Sequence, residues 1–393
     1  MLPFLTIFSL ALAFTSALVV PENHADSLQK RNGAPLKLDF TVKKTFNEST
    51  PAVDIGAKAQ ELTTRLSLSK RHETASLTND RDITYLLDLK LGSNKQPVTV
   101  LLDTGSSDLW VYGPKIQNPQ GGSFDPSKSS ANKKTGEDFF ISYLDGSYAL
   151  GEYVTDDFAL EDGRNLLNDL QFAVVDRAQT NSQGILGVAD KNQEATDNQY
   201  DNLPWALQKS GVTPKASYSL YLGSEAEGKG SIIFGGIDTE KYEGDLTKYP
   251  VAGTRGLALN VESAEVAGQT IDLDAEILLD SGTSLNLWPQ HLIDAVGKEL
   301  GGTLTQGFYF VDCDQPTDKH LTFDFGKNKI NVSYQDLVWK SQGYCLLGVQ
   351  PGTSTLIFGD VFLRSAYVYY DLSQKEISIA QAKYTDASNI VAA

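Results

Sequence analysis

The 393-residue chain holds two cysteines, one methionine and four histidines, and each scarcity excludes something. The histidines, at positions 24, 72, 291 and 320, form no HExxH pattern, and Cys313 and Cys345 form no Cys-x-x-Cys pattern. A metal site therefore has no recognisable ligand set, and no metal or other cofactor is expected. Nor can two cysteines build a disulfide framework. As an even pair in a secreted chain they predict one bridge, closing a loop of about 33 residues and stabilising the fold by about 3–4 kcal/mol in the chain-entropy picture. A long apolar run occurs once, in MLPFLTIFSLALAFTSALVV at the amino terminus. Its small-residue pattern Thr15-Ser16-Ala17 predicts a signal peptide over residues 1–17. No Lys or Arg precedes the run, which leaves an uncleaved anchor as the alternative. Once the signal is removed, no membrane association is expected.

Positive charge is also in short supply. The chain carries 33 Lys and Arg against 50 Asp and Glu, a formal net charge of -17. Residues 1–71 hold 9 basic and 6 acidic side chains, leaving 24 against 44 in residues 72–393 and a charge near -20 there. Nucleic acid and anionic membrane are excluded as partners, since both demand a cationic surface. An acidic medium suits such a chain, because protonation of its carboxylates relieves their repulsion. The early basic residues include two pairs, Lys30-Arg31 and Lys70-Arg71. After a signal peptide and ahead of a folded domain, these are expected cleavage sites for a dibasic-specific processing protease acting after Arg31 and Arg71. Residues 18–71 would then be a propeptide, and the mature chain would begin near His72.

From residue 80 onward, short alternating or apolar stretches recur between Gly, Asn, Asp and Pro clusters, which predicts a mainly β fold. Helix signals are confined to DNLPWALQKSG and PQHLIDAVGKELGG. The length exceeds one ordinary core, so two lobes are expected, residues 72–246 and 247–393. One phrase occurs twice: LLDTGSSDLW at 101–110 and LLDSGTSLNLW at 278–288. Each copy is followed some 80 residues later by an apolar-apolar-Gly unit, Ile185-Leu186-Gly187 and Ile357-Phe358-Gly359. A lone Asp-Ser/Thr-Gly is ordinary turn chemistry. Two copies in one order and at similar spacing imply two lobes on one plan, related by a pseudo-twofold axis.

Such an axis would bring Asp103 and Asp280 together. At about 4 Å and an effective dielectric near 20, two carboxylates repel by about 4 kcal/mol, equivalent to roughly 3 pKa units. The pair would share one proton across a wide acidic range. It could then act as base and acid at once, drawing a proton from a water while donating one to a carbonyl oxygen.

The motifs DTGSSDLW, the tyrosine of ISYLDGSY, GILGV, IIFGG, LLDSGTS and IFGDVFLRSAYVYYDL resemble those of the pepsin-like aspartic proteases, in that family's order. LGSNKQ, YDNLP and AQAKYTDASNI most resemble the secreted aspartyl proteinases of Candida and related yeasts, the candidapepsins. The resemblance implies a bilobal fungal fold of two β-barrel-like lobes with a cleft between them and a shared interlobe sheet. It implies a secreted, extracellular zymogen, monomeric, cleaving extended peptides in acid with broad specificity and a preference for bulky apolar residues, and inhibited by pepstatin-type compounds.

Residue by residue, the resemblance makes Asp103 and Asp280 the dyad. Gly105 and Gly282 would lie flat beside the carboxylates, Ser106 and Thr283 would bond their outer oxygens, and Thr104 and Ser281 would interlock across the axis. Tyr143 would be the tyrosine of a flap hairpin turning at Asp145-Gly146, its hydroxyl reaching the indole of Trp110. Leu101, Tyr143 and Ile185 would line the pocket before the scissile bond, with Leu144, Asp145 and Ser284 also on the substrate side. Trp288 has no flap to serve and is expected to pack in the core.

Leu144 departs from the family pattern, which has glycine there. The sequence leaves open whether it narrows the cleft or alters its reach toward basic residues. The loop GPKIQNPQGGSFDP lacks the disulfide that many yeast relatives carry. In the propeptide, PLKLDFTVKKTF alternates like a strand, and the resemblance leaves open whether Lys43 or Lys44 faces the dyad. Sequons mark Asn47 and Asn331 as glycosylation candidates. Two other readings remain: a catalytically inactive binding protein of the same fold, and an actin-type nucleotide-binding protein, against which the signal segment and acidic balance argue.

Overall fold

The computed structural model describes residues 33–44, 83–180, 183–224, 228–253, 256–305, 307–341, 344–352 and 354–393. The expected signal segment 1–17, the pairs ending at Arg31 and Arg71, Asn47 and the expected new terminus at His72 lie outside these residues.

The alternating stretches form strands, gathered mainly into a thirteen-stranded and a seven-stranded sheet. The large sheet starts with Tyr242–Pro250, Glu376–Ala382, Ala366–Asp371, Ser217–Tyr221 and Lys229–Phe234. It continues through Leu36–Lys44, Ile83–Leu91, Gln96–Asp103, Gly184–Gly187 and Leu109–Tyr112, and ends with Asn165–Gln179, Tyr148–Leu160 and Lys133–Ser142. Composition follows position. Ala366–Asp371 (AYVYYD) and Ser217–Tyr221 (SYSLY) are buried at every residue, as interior strands covered on both faces must be. The two outermost strands, YEGDLTKYP and KKTGEDFFIS, are largely exposed and charged, which discourages pairing with another chain. Strands from both ends of the sequence thus share one sheet, and the strand Tyr242–Pro250 spans the expected lobe boundary at 246/247.

The alternating stretch PLKLDFTVKKTF holds the strand Leu36–Lys44, and it lies inside this sheet. It pairs antiparallel with Lys229–Phe234 on one side and with Ile83–Leu91 on the other. Phe40, 3% exposed, sets its ring edge-on to Tyr85, and a side chain at Gly230 would collide with it. Lys43 and Lys44 stand in register with Thr84 and Ile83.

The repeated phrase folds the same way twice. In the first copy, Gln96–Asp103 pairs parallel with Gly184–Gly187, which pairs antiparallel with Leu109–Tyr112, which pairs parallel with Asn165–Gln179. In the second, Gln269–Leu279 pairs parallel with Ile357–Phe358, which pairs antiparallel with Asn286–Trp288, which pairs parallel with Val349–Pro351. The apolar-apolar-Gly unit is in both cases the strand threaded between the two arms of the aspartate turn. This is the pseudo-twofold, bilobal plan expected from the repeat.

Both expected helices are present, Leu203–Lys209 with Pro204 in its first turn and Gln290–Glu299 after Pro289. Asn202 begins the first helix but spends its side chain elsewhere, donating to the carbonyls of Ser107 and Ala189. A short helix at Asp360–Leu363, following Gly359, had no signal in the periodicity. Cys313 and Cys345 form a disulfide.

Candidate active site

Asp103 ends the strand Gln96–Asp103, and Asp280 follows Gln269–Leu279, so both carboxylates stand at strand ends under matching constraints. Each is nearly buried, at 5% and 8% exposure. The turn chemistry is the same on both sides. Gly105 N–H donates to Asp103 Oδ1 at 2.8 Å and Gly282 N–H to Asp280 Oδ1 at 2.8 Å. Ser106 Oγ donates to Asp103 Oδ2 at 2.5 Å and Thr283 Oγ1 to Asp280 Oδ2 at 2.6 Å.

The two turns are interleaved. A Cβ added at Gly105 would lie 2.6 Å from Asp280 Oδ1, and one added at Gly282 would lie 2.5 Å from Asp103 Oδ1. Each glycine is therefore bare because the other lobe's carboxylate occupies the space where its side chain would be. The neighbours lock the arrangement. Thr104 N–H donates to Ser281 Oγ at 3.1 Å and Ser281 N–H to Thr104 Oγ1 at 2.9 Å. Their hydroxyls in turn donate across to the carbonyls of Leu279 and Leu102.

Asp103 and Asp280 are within hydrogen-bonding reach of each other, and the Asp280 carboxyl is pushed up to about 7. Burial is the largest cause and the charge of Asp103 the next, while the Thr283 hydroxyl and Gly282 N–H pull the other way. A raised carboxyl keeps its proton in acid, so the pair can hold one proton between two acceptors.

Comparison with known proteins gives the family. The family described as eukaryotic aspartyl protease matches residues 84–382. The chain belongs to that family. Secreted aspartic protease 3 of Candida albicans is 38% identical over 386 residues, covering 92% of this chain and 94% of the relative. The candidapepsin of Candida tropicalis is 35% identical, covering 96% and 95%. A crystal structure of the aspartic proteinase from Irpex lacteus superposes with a TM-score of 0.65 over 78% of this chain and 96% of that one. At 21% identity that likeness speaks for the fold. The chain is an aspartic-type endopeptidase of mainly β, pepsin-like fold.

The structure distributes the remaining expected site residues as follows. Lys133–Ser142 and Tyr148–Leu160 form a hairpin whose three-residue loop, Leu144-Asp145-Gly146, is closed by Tyr143 N–H donating to the Ser147 carbonyl. Gly146 takes φ +81, and Asp145 accepts from Ser147 N–H. This is the loop length in which a type I turn ends on a left-handed glycine. Trp110 Nε1 donates to Tyr143 Oη at 2.7 Å, tying the hairpin to the strand after the first aspartate turn. Tyr143 packs on a cluster that includes Leu101, Trp110 and Ile185. Leu144 is 74% exposed at the hairpin tip, whereas Ser284 is buried at 4%. Trp288 is fully buried edge-on to Phe323, and its indole nitrogen has no hydrogen-bond partner among the described residues. Asn331 sits on the outermost strand of the seven-stranded sheet, exposed, its Oδ1 accepting from Thr322. Among the described residues, no three His, Cys, Asp or Glu side chains converge to hold a metal ion.

Sequence reasoning passed over Asp108, which is fully buried and accepts from Tyr153, Tyr200 and the Ala195 N–H. A signal was available: five residues after its aspartate the second copy of the phrase carries Leu285, so an acid at 108 is a departure from the shared turn.

Proposed function

We propose that this chain is the zymogen of a secreted, extracellular aspartic endopeptidase in which Asp103 and Asp280 share one proton and activate one water. The ionised member takes a proton from the water, the protonated member donates to the scissile carbonyl oxygen, and the water attacks the amide carbon without a covalent intermediate. The observation that carries this reading is the reciprocal fit of Gly105 against Asp280 and Gly282 against Asp103. Two carboxylates are held together by it at the cost of their repulsion, an arrangement a merely structural turn pair has no need of.

An extended peptide would lie between the hairpin and the dyad, pairing its backbone with the flap and with Gly282. Leu101, Tyr143 and Ile185 would receive a bulky apolar side chain, so specificity is broad but apolar at the centre. Secretion is supported by the names of the Candida albicans relatives and by the apolar amino terminus. The zymogen reading is supported by the strand Leu36–Lys44: cleavage after Arg71 would leave it noncovalently bound in the sheet, to be displaced before the enzyme matures. The lobes of the mature enzyme would be residues 72–246 and 247–393, acting as a monomer.

The deciding assay incubates processed protein with denatured globin at about pH 4 and about pH 7, with and without pepstatin, beside Asp103→Asn. Cleavage in acid, blocked by pepstatin and reduced at least about 10³-fold in the variant, is expected. An inactive wild type, or a fully active Asn variant, would overturn the reading.

A further inference from the structure

We propose that Asp108 is a positioning residue that fastens the flap hairpin to the first catalytic turn, an inference that rests on the aspartic-protease reading above. Asp108 lies five residues after Asp103, and its main-chain carbonyl accepts from Gly187 N–H at 2.9 Å. Its side chain has a different task. Oδ1 accepts from Tyr153 Oη at 2.7 Å and from Tyr200 Oη at 2.8 Å, and Oδ2 accepts from Ala195 N–H at 2.8 Å.

Tyr153 belongs to the hairpin strand Tyr148–Leu160 and is fully buried. Its ring stands edge-on to Phe139 of the other arm at 5.2 Å and to Tyr200 at 5.7 Å. One carboxylate therefore joins three pieces of chain: the loop leaving the dyad, the body of the flap hairpin, and the segment 194–200. The same aromatic cluster carries Tyr143 and Trp110. A flap held at its tip by Trp110 alone would pivot about one bond. Held also at its base through Tyr153, it keeps Tyr143 over the pocket.

The second lobe supplies an internal control. The residue five places after Asp280 is Leu285, apolar and 3% exposed, while Gly359 N–H, the counterpart of Gly187 N–H, is met by Asn286 Oδ1 at 2.8 Å. Closing the aspartate turn thus requires no carboxylate at this place. The first lobe has a flap and carries an acceptor-only carboxylate with three donors there; the second carries a leucine. The acid is also costly where it stands: burial raises its carboxyl, although Ala195, Tyr153 and Tyr200 all pull it down. Nearby Glu194, which accepts from Tyr200 N–H, is pushed up to about 8 by burial. A second buried acid beside the first makes an isolated structural role for Asp108 still more expensive, and hydrophobic packing would fill the space without that cost.

The test uses processed enzyme carrying Tyr153→Phe, Asp108→Asn or both, with kcat and KM on a chromogenic peptide, pepstatin Ki and Tm measured together. Tyr153→Phe keeps the ring and removes only the hydroxyl. It is expected to raise KM and pepstatin Ki about tenfold with kcat within about twofold, and Asp108→Asn should add little to that rise in KM and Ki, because the Tyr153 hydroxyl is the one contact of Asp108 with the hairpin; its contacts with Tyr200 and Ala195 would show in Tm. A fall in Tm with unchanged KM and Ki, or fully additive effects on KM and Ki in the double variant, would overturn the positioning role. If wild type cleaves but Tyr153→Phe is indistinguishable from it, this inference alone fails. If wild type itself cleaves nothing, the protease reading fails and takes this one with it.

Discussion

Thr104 and Ser281 carry four hydrogen bonds from one lobe to the other, and both are buried. Thr104→Val keeps the shape but leaves Ser281 N–H and the Leu279 carbonyl without their partner, at about 1–3 kcal/mol for each group stranded. The urea midpoint should fall accordingly, and kcat should fall with it as the carboxylates drift apart; an unmoved midpoint would show that the interlock is dispensable. Leu144 poses the opposite case. Position 144 follows Tyr143 in the three-residue loop and takes no left-handed backbone, so neither backbone nor packing accounts for a leucine that is 74% exposed. Full burial of such a side chain is worth about 1.5–3 kcal/mol, and a bound peptide is the surface in reach of a hairpin tip. Leu144→Gly should therefore lower kcat/KM about 3–10-fold for peptides with apolar residues beneath the tip and leave charged counterparts little changed. A uniform loss across both peptide sets would assign the effect to the loop's conformation instead.

At the scale of elements, the strand Leu36–Lys44 would, on the proposed zymogen reading, separate precursor from product. Phe40 is its main anchor, and truncating a buried phenylalanine costs about 3–5 kcal/mol. Phe40→Ala should lower the Tm of the precursor while leaving unaffected a processed enzyme from which, as proposed, the strand has gone; equal shifts in both would mean the segment is retained after processing. That PLKLDFTVKKTF is a strand was legible from its alternation. Its place was not, because its partners begin at Ile83 and Lys229, and sheet pairing at such separations leaves no local mark. The meeting of Asp103 and Asp280 was legible for the opposite reason: two local phrases, each a strand end and a turn, were repeated with their threaded strands, so symmetry supplied the long-range contact. The flap turn was readable from Asp145-Gly146, though not its three-residue closure. Asp108 was hidden because the donors that explain it lie 45 and 92 positions away.

The whole molecule carries a charge of -17 and buries several of its acids, which together set how stability varies with pH. Asp280 and Glu194 are raised to about 7 and about 8, in both cases chiefly by burial, against unfolded values of about 3.9 and 4.3. A carboxyl that holds its proton more tightly when folded stabilises the fold fully below its unfolded pKa, and that contribution is lost as pH rises through the folded pKa. Asp125, Asp201 and Asp324 are shifted down and act in the opposite sense, but they sit in partly exposed ion pairs with Lys128, Lys191 and Lys209, and Lys329, which contribute little. The buried acids therefore win, and Tm should be highest in acid and decline between about pH 4 and pH 8. Glu194→Gln separates this cause from general charge repulsion, since the amide mimics the protonated acid and can still accept from Tyr200 N–H. At about pH 4 its Tm should match wild type, while at about pH 8 it should exceed wild type by at least about 2–4 °C. An equal gain at both values would point to packing, and no gain at about pH 8 would show that Glu194 is not among the groups whose ionisation opens the fold.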